Sequence, residues 1–172
     1  FFHRKRINNY LKLIKEIKIE TIYDVGSNNC VYSKLFSKIF PEAKIYAFEP
    51  NINLYEVSKI KCNDFKKIEI INKAVGNTND IIDIEIEEFS PLTTSLAETN
   101  PKSTTSKIKK FLYEKKTKKI LKVEIIKLDD FIKHNKCPDF IKIDVEGFEE
   151  EVLKGLLYNI KKIKLIMIEF HF

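Results

Sequence analysis

The residues that could do chemistry in this 172-residue chain stand where short apolar runs end. They are carboxylates, amides and one imidazole: Asp24, Asn28, Glu49, Asp144, Glu146, Glu169 and His171. If the runs are parallel strands, these side chains gather at the carboxyl edge of the sheet, where ligands bind in open α/β folds. An acidic residue at a strand end can instead cap the next helix, but its recurrence at several strand ends favours a binding site.

Gly26 and Glu49 have the spacing of a site for an adenosine-type cofactor. A glycine after a first strand lets the backbone turn beside a ligand, and an acidic residue roughly 20 positions later takes ribose hydroxyls. Glu49 follows Asp24 by 49 − 24 = 25 positions. Asn28 and Cys30 stand where a pyrophosphate-binding loop would have glycines. A cofactor without phosphates therefore fits better, and S-adenosylmethionine is such a cofactor.

Glycine usage excludes two other classes of nucleotide-binding protein. The chain has only 4 glycines and contains neither GxxxxGK[ST] nor GxGxxG, so P-loop hydrolases and the usual nicotinamide-binding domains are excluded. A hydrophobic content of 44% is sufficient for a core. We therefore expect one folded domain over residues 1–172.

The cysteines and the length of the apolar runs indicate where the protein is located in the cell. Cys30, Cys62 and Cys137 are widely separated, and they form neither a disulfide framework nor a CxxC pair, which favours a reducing, cytoplasmic setting. The longest nearly uncharged apolar run, 165–172, is far shorter than a bilayer span. We expect no membrane-spanning helix.

Apolar spacing predicts the elements that position the candidate site. A helix within residues 1–20 is indicated by apolar residues at helical spacing from Ile7 to Ile17. Further strands are predicted at 21–25, 44–49, 68–75, 140–145 and 164–172, and further helices at 31–39, 54–60 and 148–160. Such alternation is typical of parallel strands joined by right-handed crossovers. The predicted fold class is α/β, with a mostly parallel, doubly wound sheet.

Residues 80–128 interrupt the alternation of strands and helices. Ile82, Ile84 and Ile86 alternate with polar residues, which indicates a strand. A Ser/Thr/Pro-rich stretch follows, and a second strand is predicted at 121–128. We predict a strand-loop-strand insertion whose loop, Ser90 to Lys119, is a mobile lid over the acceptor substrate at the candidate site.

Five motifs, in this order and spacing, resemble the FkbM-type S-adenosylmethionine-dependent methyltransferases. They are DVGSN from Asp24, AFEPN from Ala47, AVG from Ala74, LDD from Leu128 and IKIDVEGFE from Ile141. The resemblance covers roughly residues 22–169 and implies a Rossmann-like class I methyltransferase fold. Sheets of this class continue past a fifth strand with a helix and an antiparallel hairpin. The chain ends at Phe172, so we expect a fragment or a domain that lacks the closing strands.

The resemblance also implies roles for individual residues. The cofactor-binding residues would be Asp24, Gly26, Ser27, Asn28, Glu49, Asn72, Ala74 and Asp144. Gly26 and Asn28 would face the methionyl part and Glu49 the ribose. Cys30 stands where the family usually has glycine, and we expect its side chain to crowd this loop. Methyl transfer needs an aligned acceptor and benefits from a base; Asp144 is the first candidate for this catalytic role and Glu146 the second.

The predicted function is S-adenosylmethionine-dependent methylation of an oxygen in a small molecule or saccharide. The net charge of +6 and the basic stretch Lys102 to Lys122 leave open an RNA methyltransferase. A non-catalytic binding module with the same fold is a third alternative. Asp144, Glu169 and His171 leave magnesium open as a less favoured cofactor, with its ligands unknown. The acceptor and the oligomeric state are not predicted.

Overall fold

The computed structural model describes residues 17–88 and 117–169 of the chain. The strands are β1 (Thr21–Val25), β2 (Lys44–Phe48), β3 (Ile68–Ile71), β4 (Ala74–Val75), β5 (Asp80–Glu88), β6 (Thr117–Ile126), β7 (Phe140–Ile143) and β8 (Leu165–Ile168). The helices are α1 (Val31–Ile39), α2 (Ile52–Cys62), α3 (Leu128–Ile132) and α4 (Glu149–Lys154), with a 3-10 turn at Ile160–Lys162. The N-terminal helix predicted within residues 1–20 and most of the predicted lid lie outside the described residues.

Five strands form a parallel sheet in the order β3-β2-β1-β7-β8. The strand order reverses direction at β1, whose neighbours β2 and β7 are distant from each other in the chain. Val25, the last residue of β1, is opposite Phe48 of β2 and Ile143 of β7. Three strands therefore end at one level at the switch point, where α/β sheets bind ligands. The predicted α/β, Rossmann-like fold is confirmed.

Buried apolar side chains cover both faces of this sheet because successive strand residues point to opposite sides. One cluster packs beneath α3 and α4 and contains Tyr23, Val25, Phe48, Val75, Leu128, Ile141, Ile143, Val152 and Leu156. The other lies beside α1 and contains Ile19, Ile22, Phe36, Phe40, Ala43, Ile45 and Phe140. Asp24 and Lys142 belong to the second face by this alternation, so their charges lie within the fold.

The chain divides into two compact units. The first contains the parallel sheet, its helices and the short β4, which pairs with β6 through Ala74 and Ile125. The second comprises Ile82–Lys122, whose described part is strand from β5 and β6. A separate sheet has the order β4-β6-β5.

Several predicted elements have different bounds in the structure, and three of the differences change how the chain continues. The strand predicted over 68–75 is two strands, because the chain turns at Asn72 and Lys73 and enters the second sheet. The strand predicted to reach Leu128 ends at Ile126, and Leu128 begins α3. The helix predicted over 148–160 ends at Lys154. Gly155 follows it, where an added Cβ would lie 1.9 Å from the Gly76 carbonyl oxygen.

Candidate functional site

The loop after β1 turns sharply at Gly26, between the ends of β2 and β7. The N–H groups of Gly26 and Ser27 donate to the Phe48 carbonyl at 3.1 and 2.9 Å, and the Asp144 N–H donates to the Val25 carbonyl at 3.1 Å. Gly26 has φ +73°, and an added Cβ would lie 1.8 Å from the Asp144 carbonyl oxygen. Only glycine fits this turn, which places the predicted cofactor loop beside Asp144.

Glu49 follows β2 and holds two loops through its carboxylate. Its oxygens accept the backbone N–H groups of Asn28 and Asn51, each at 2.8 Å. Burial raises the pKa of Glu49, and the two backbone N–H groups oppose that rise. Each carboxylate oxygen has two lone pairs. After these two bonds, each oxygen therefore keeps one lone pair that can accept a further hydrogen bond. The arrangement can accept hydrogen bonds from a diol.

The loop after β3 supports the Glu49 turn from its other side. The Asn72 amide donates to the Glu49 and Pro50 carbonyl oxygens at 2.8 and 3.0 Å. Ala74 follows in β4 and is partly exposed. Asn72 and Ala74, both predicted to lie at the cofactor, therefore stand next to the Glu49 turn, and their contact with a ligand stays a prediction.

A buried ammonium group joins Asp24 to Asp144. The Nζ atom of Lys142 lies 3.3 Å from Asp24 Oδ1 and 3.3 Å from Asp144 Oδ2. The other Asp24 oxygen accepts the Ser33 hydroxyl at 2.5 Å. Burial alone would lower the pKa of Lys142, but the two carboxylates outweigh it and hold the pKa above its usual value. Asp24, predicted to bind cofactor, is fully buried, whereas the Asp144 side chain is 21% exposed.

The loop after β7 is shaped by Glu149 at the start of α4. The Glu149 carboxylate accepts the N–H groups of Gly147 at 3.0 Å and Val145 at 3.3 Å. Glu146, two residues after Asp144, has φ +55° and a side chain exposed at the surface. Its predicted catalytic role is untested by this geometry.

Cys30 adopts φ +57° directly before α1. Its side chain is fully buried and packs with Ala47 and Cys62. The thiol lies in the interior, with its Sγ 3.9 Å from the Ser27 hydroxyl oxygen, and the expected crowding of the cofactor loop stays a prediction. Burial raises the pKa of Cys62 to about 12.

Two further predicted features lie partly outside the described residues. His171 is outside them, and Glu169 is an exposed residue after β8; within the described ranges, no group of three or more His, Cys, Asp or Glu side chains could hold a metal ion. The basic stretch Lys102 to Lys122 is mostly outside them as well.

No helix that the structure describes has the length and apolar character needed to cross a bilayer.

A separate cavity of about 710 Å³ lies beside α3 and α4. Its lining includes Lys127, Asp129, Tyr158 and Asn159. None of the predicted site residues lines this cavity, so the candidate site rests on the strand ends.

The sequence interpretation missed three residues that organise the site: Lys142, Ser33 and Glu149. Lys142 had a recognisable signal, because it is the one charged residue in the buried strand Phe140–Ile143, and a buried charge needs a partner. Ser33 and Glu149 had none, since their contacts depend on how the loops after β1 and β7 place the first turns of α1 and α4.

Comparisons with known proteins bear on the family and the fold of the chain. The family model for the methyltransferase FkbM domain matches residues 24–172. The hexuronic acid methyltransferase AglP of Haloferax volcanii is 25% identical over 154 residues, covering 88% of this chain and 56% of the relative. A solved structure of a candidate caffeoyl-CoA O-methyltransferase from Staphylococcus aureus has a TM-score of 0.50 at 12% identity, covering 95% of this chain and 56% of that one. It shows the same fold. The chain spans about half the length of these relatives.

Proposed function

We propose, because the chain belongs to the FkbM methyltransferase domain family, that it transfers a methyl group from S-adenosylmethionine to an oxygen of a saccharide or another small molecule. The observation that carries this proposal is the meeting of Gly26, Glu49 and Asp144 at the carboxyl edge of three adjacent strands. The relative from Haloferax volcanii is named for a hexuronic acid, which supports a saccharide as the acceptor class.

The residues at this edge fit the chemical groups of the cofactor. Glu49 retains acceptor capacity for a ribose diol after binding two backbone N–H groups. Asn28 is exposed beside it, and the Asp24, Lys142 and Asp144 side chains carry a net charge of −1 (−1 + 1 − 1). A negative cluster suits a cationic donor. This chemistry supports S-adenosylmethionine.

When bound, S-adenosylmethionine supplies a methyl group already activated on a sulfonium. The protein has to align the acceptor hydroxyl with this methyl group, keep it from binding in unproductive orientations and accept the hydroxyl proton. The Asp144 carboxylate, held by Lys142 and partly exposed, accepts a hydrogen bond from the acceptor hydroxyl and takes its proton. Glu146, exposed two residues further on, is the second candidate for this role.

The setting we propose is cytoplasmic. Its support is the state of the cysteines: Cys30, Cys62 and Cys137 are all free thiols. Such usage is typical of reducing compartments.

Calorimetric titration with S-adenosylhomocysteine tests the cofactor assignment directly. We expect saturable binding to a single site per chain, and no detectable heat of binding would refute the proposal. The acceptor is tested by transfer of a radiolabelled methyl group to uronic acid-containing oligosaccharides and to RNA at several salt concentrations. Saccharide methylation that changes little with salt supports the proposal, whereas RNA methylation that falls steeply with salt would favour the RNA alternative.

A further inference from the structure

Lys142 has three oxygen partners in the interior of the site. Its ammonium donates to the Gly26 carbonyl oxygen at 2.8 Å and lies 3.3 Å from one carboxylate oxygen each of Asp24 and Asp144. The residue is 2% exposed, and the Tyr32 ring centroid lies 5.2 Å from Nζ. One cation thus contacts the cofactor loop and both carboxylates.

Burying an ammonium group is unfavourable unless its charge is paired and its N–H groups are bonded. The pairing here is asymmetric. Asp24 is fully buried, its Oδ1 makes an ion-pair contact with the ammonium at 3.3 Å, and its other oxygen accepts from Ser33. Asp144 is the partner that reaches the surface of the site. Asp24 therefore secures the ammonium from the interior, while Asp144 and the Gly26 carbonyl are the groups that it orients.

We propose that Lys142 is a positioning residue, which fixes the Asp144 carboxylate and the Gly26 turn relative to each other for cofactor binding and methyl transfer. The inference rests on the proposed function, since Asp144 and this turn are assigned there to the acceptor and the cofactor. It extends that proposal to a side chain that does not itself meet either ligand.

A purely structural alternative is that Lys142 only neutralises the buried charge of Asp24. The double variant Lys142→Met with Asp24→Asn separates the two roles, because it removes both buried charges together. The matched control is Asp24→Asn alone, which leaves the ammonium in contact with the Gly26 carbonyl and Asp144. Thermal melting reports folding, and calorimetry with S-adenosylhomocysteine reports cofactor binding.

We expect the double variant to melt near the wild-type temperature but to bind S-adenosylhomocysteine about tenfold or more weakly, the effect of losing a charge-assisted hydrogen bond. Asp24→Asn alone should lose less affinity than the double variant, because it keeps the ammonium in contact with the Gly26 carbonyl and Asp144. The difference between the two variants measures the contribution of Lys142, and a double variant that binds no more weakly than Asp24→Asn would contradict the proposal. A double variant that folds and binds like wild type would overturn the proposal. If wild type itself does not bind, the proposed function fails instead, so the two failures are distinguishable.

A measurement on the wild-type protein decides the case if the double variant does not fold. We expect the Lys142 ammonium to give a ¹H–¹⁵N signal that is protected from exchange with water and that shifts when S-adenosylhomocysteine is added. Surface lysines such as Lys59, which lies on α2, supply the internal control. A Lys142 signal that stays unchanged at saturating ligand would contradict the positioning role.

Discussion

The Glu49 carboxylate accepts the backbone N–H of Asn28 at 2.8 Å, although 21 positions separate the two residues. This bond joins the loop after β1 to the turn after β2, and the bond from Asn51 to the same carboxylate completes the turn. The residue assigned to the ribose thus also holds the loop assigned to the methionyl part. Binding and local order are coupled through one side chain.

Replacing Glu49 with alanine is expected to weaken S-adenosylhomocysteine binding by about 1.5 to 3 kcal/mol, because it removes charge-assisted hydrogen bonds to the ribose. The loop should also lose order, since two backbone N–H groups lose their acceptor. Calorimetry and thermal melting measure the two effects. Glu56→Ala on α2 is the matched control, because it removes only an exposed ion pair with Lys59. Unchanged affinity of Glu49→Ala for S-adenosylhomocysteine would show that Glu49 does not bind the cofactor.

The raised pKa of Glu49 predicts a pH dependence of folding stability without ligand. Burial raises the pKa of the Glu49 carboxyl in the folded protein above its ordinary value of 4.5. The folded protein therefore binds the Glu49 proton more tightly than the unfolded chain does. The free energy of unfolding should therefore fall as the pH rises from 4.5 through the folded-state pKa. Urea unfolding of wild type and Glu49→Gln over this range isolates the contribution. Parallel curves for the two proteins would show that Glu49 makes none.

Two glycines with positive φ allow a matched test of the turn after β1. Gly26→Ala should destabilise the protein by more than about 3 kcal/mol, because the added Cβ meets the Asp144 carbonyl oxygen. Gly147→Ala, at φ +95° with no atom within 4 Å of the added Cβ, should cost only about 1 to 2 kcal/mol of backbone strain. Urea unfolding measures both. Equal losses would mean that the close approach at Gly26 is relieved at little cost.

Local sequence was sufficient for much of the fold and site. The strand predicted at 21–25 has the same bounds in the structure, because a short β-branched run ended by glycine is decided locally. Glu49 and Asp144 lie at the ends of β2 and β7, directly after the last strand residues Phe48 and Ile143, although the predicted strands 44–49 and 140–145 included them. Their position depends only on where the two apolar runs end.

Distant contacts decided the elements whose bounds differed. The break after Ile71 is stabilised by the Asn72 amide bonded to the Glu49 carbonyl. At the start of α3, Asp129 accepts the N–H groups of Tyr158 and Asn159, some 30 positions away. Neither contact has a signature in the local spacing of apolar residues.

Asp144 offers the sharpest test of the proposed chemistry. Its carboxylate could take the acceptor proton or could serve mainly to bind the cofactor, and Asp144→Asn separates these roles because it keeps the shape but removes the base and the charge. If Asp144 acts on the acceptor, turnover should fall by roughly 10² to 10⁴ while S-adenosylhomocysteine affinity stays nearly constant.

The outcome of Asp144→Asn is measured by single-turnover methyl transfer together with calorimetry. Glu146→Gln is the matched comparison, because Glu146 is exposed on the same loop and is the second candidate for the base. A larger loss of turnover in Glu146→Gln than in Asp144→Asn would identify Glu146 instead of Asp144 as the base. A loss of affinity before turnover in Asp144→Asn would place Asp144 with the cofactor, and wild-type values for both measurements would exclude it from catalysis and binding alike.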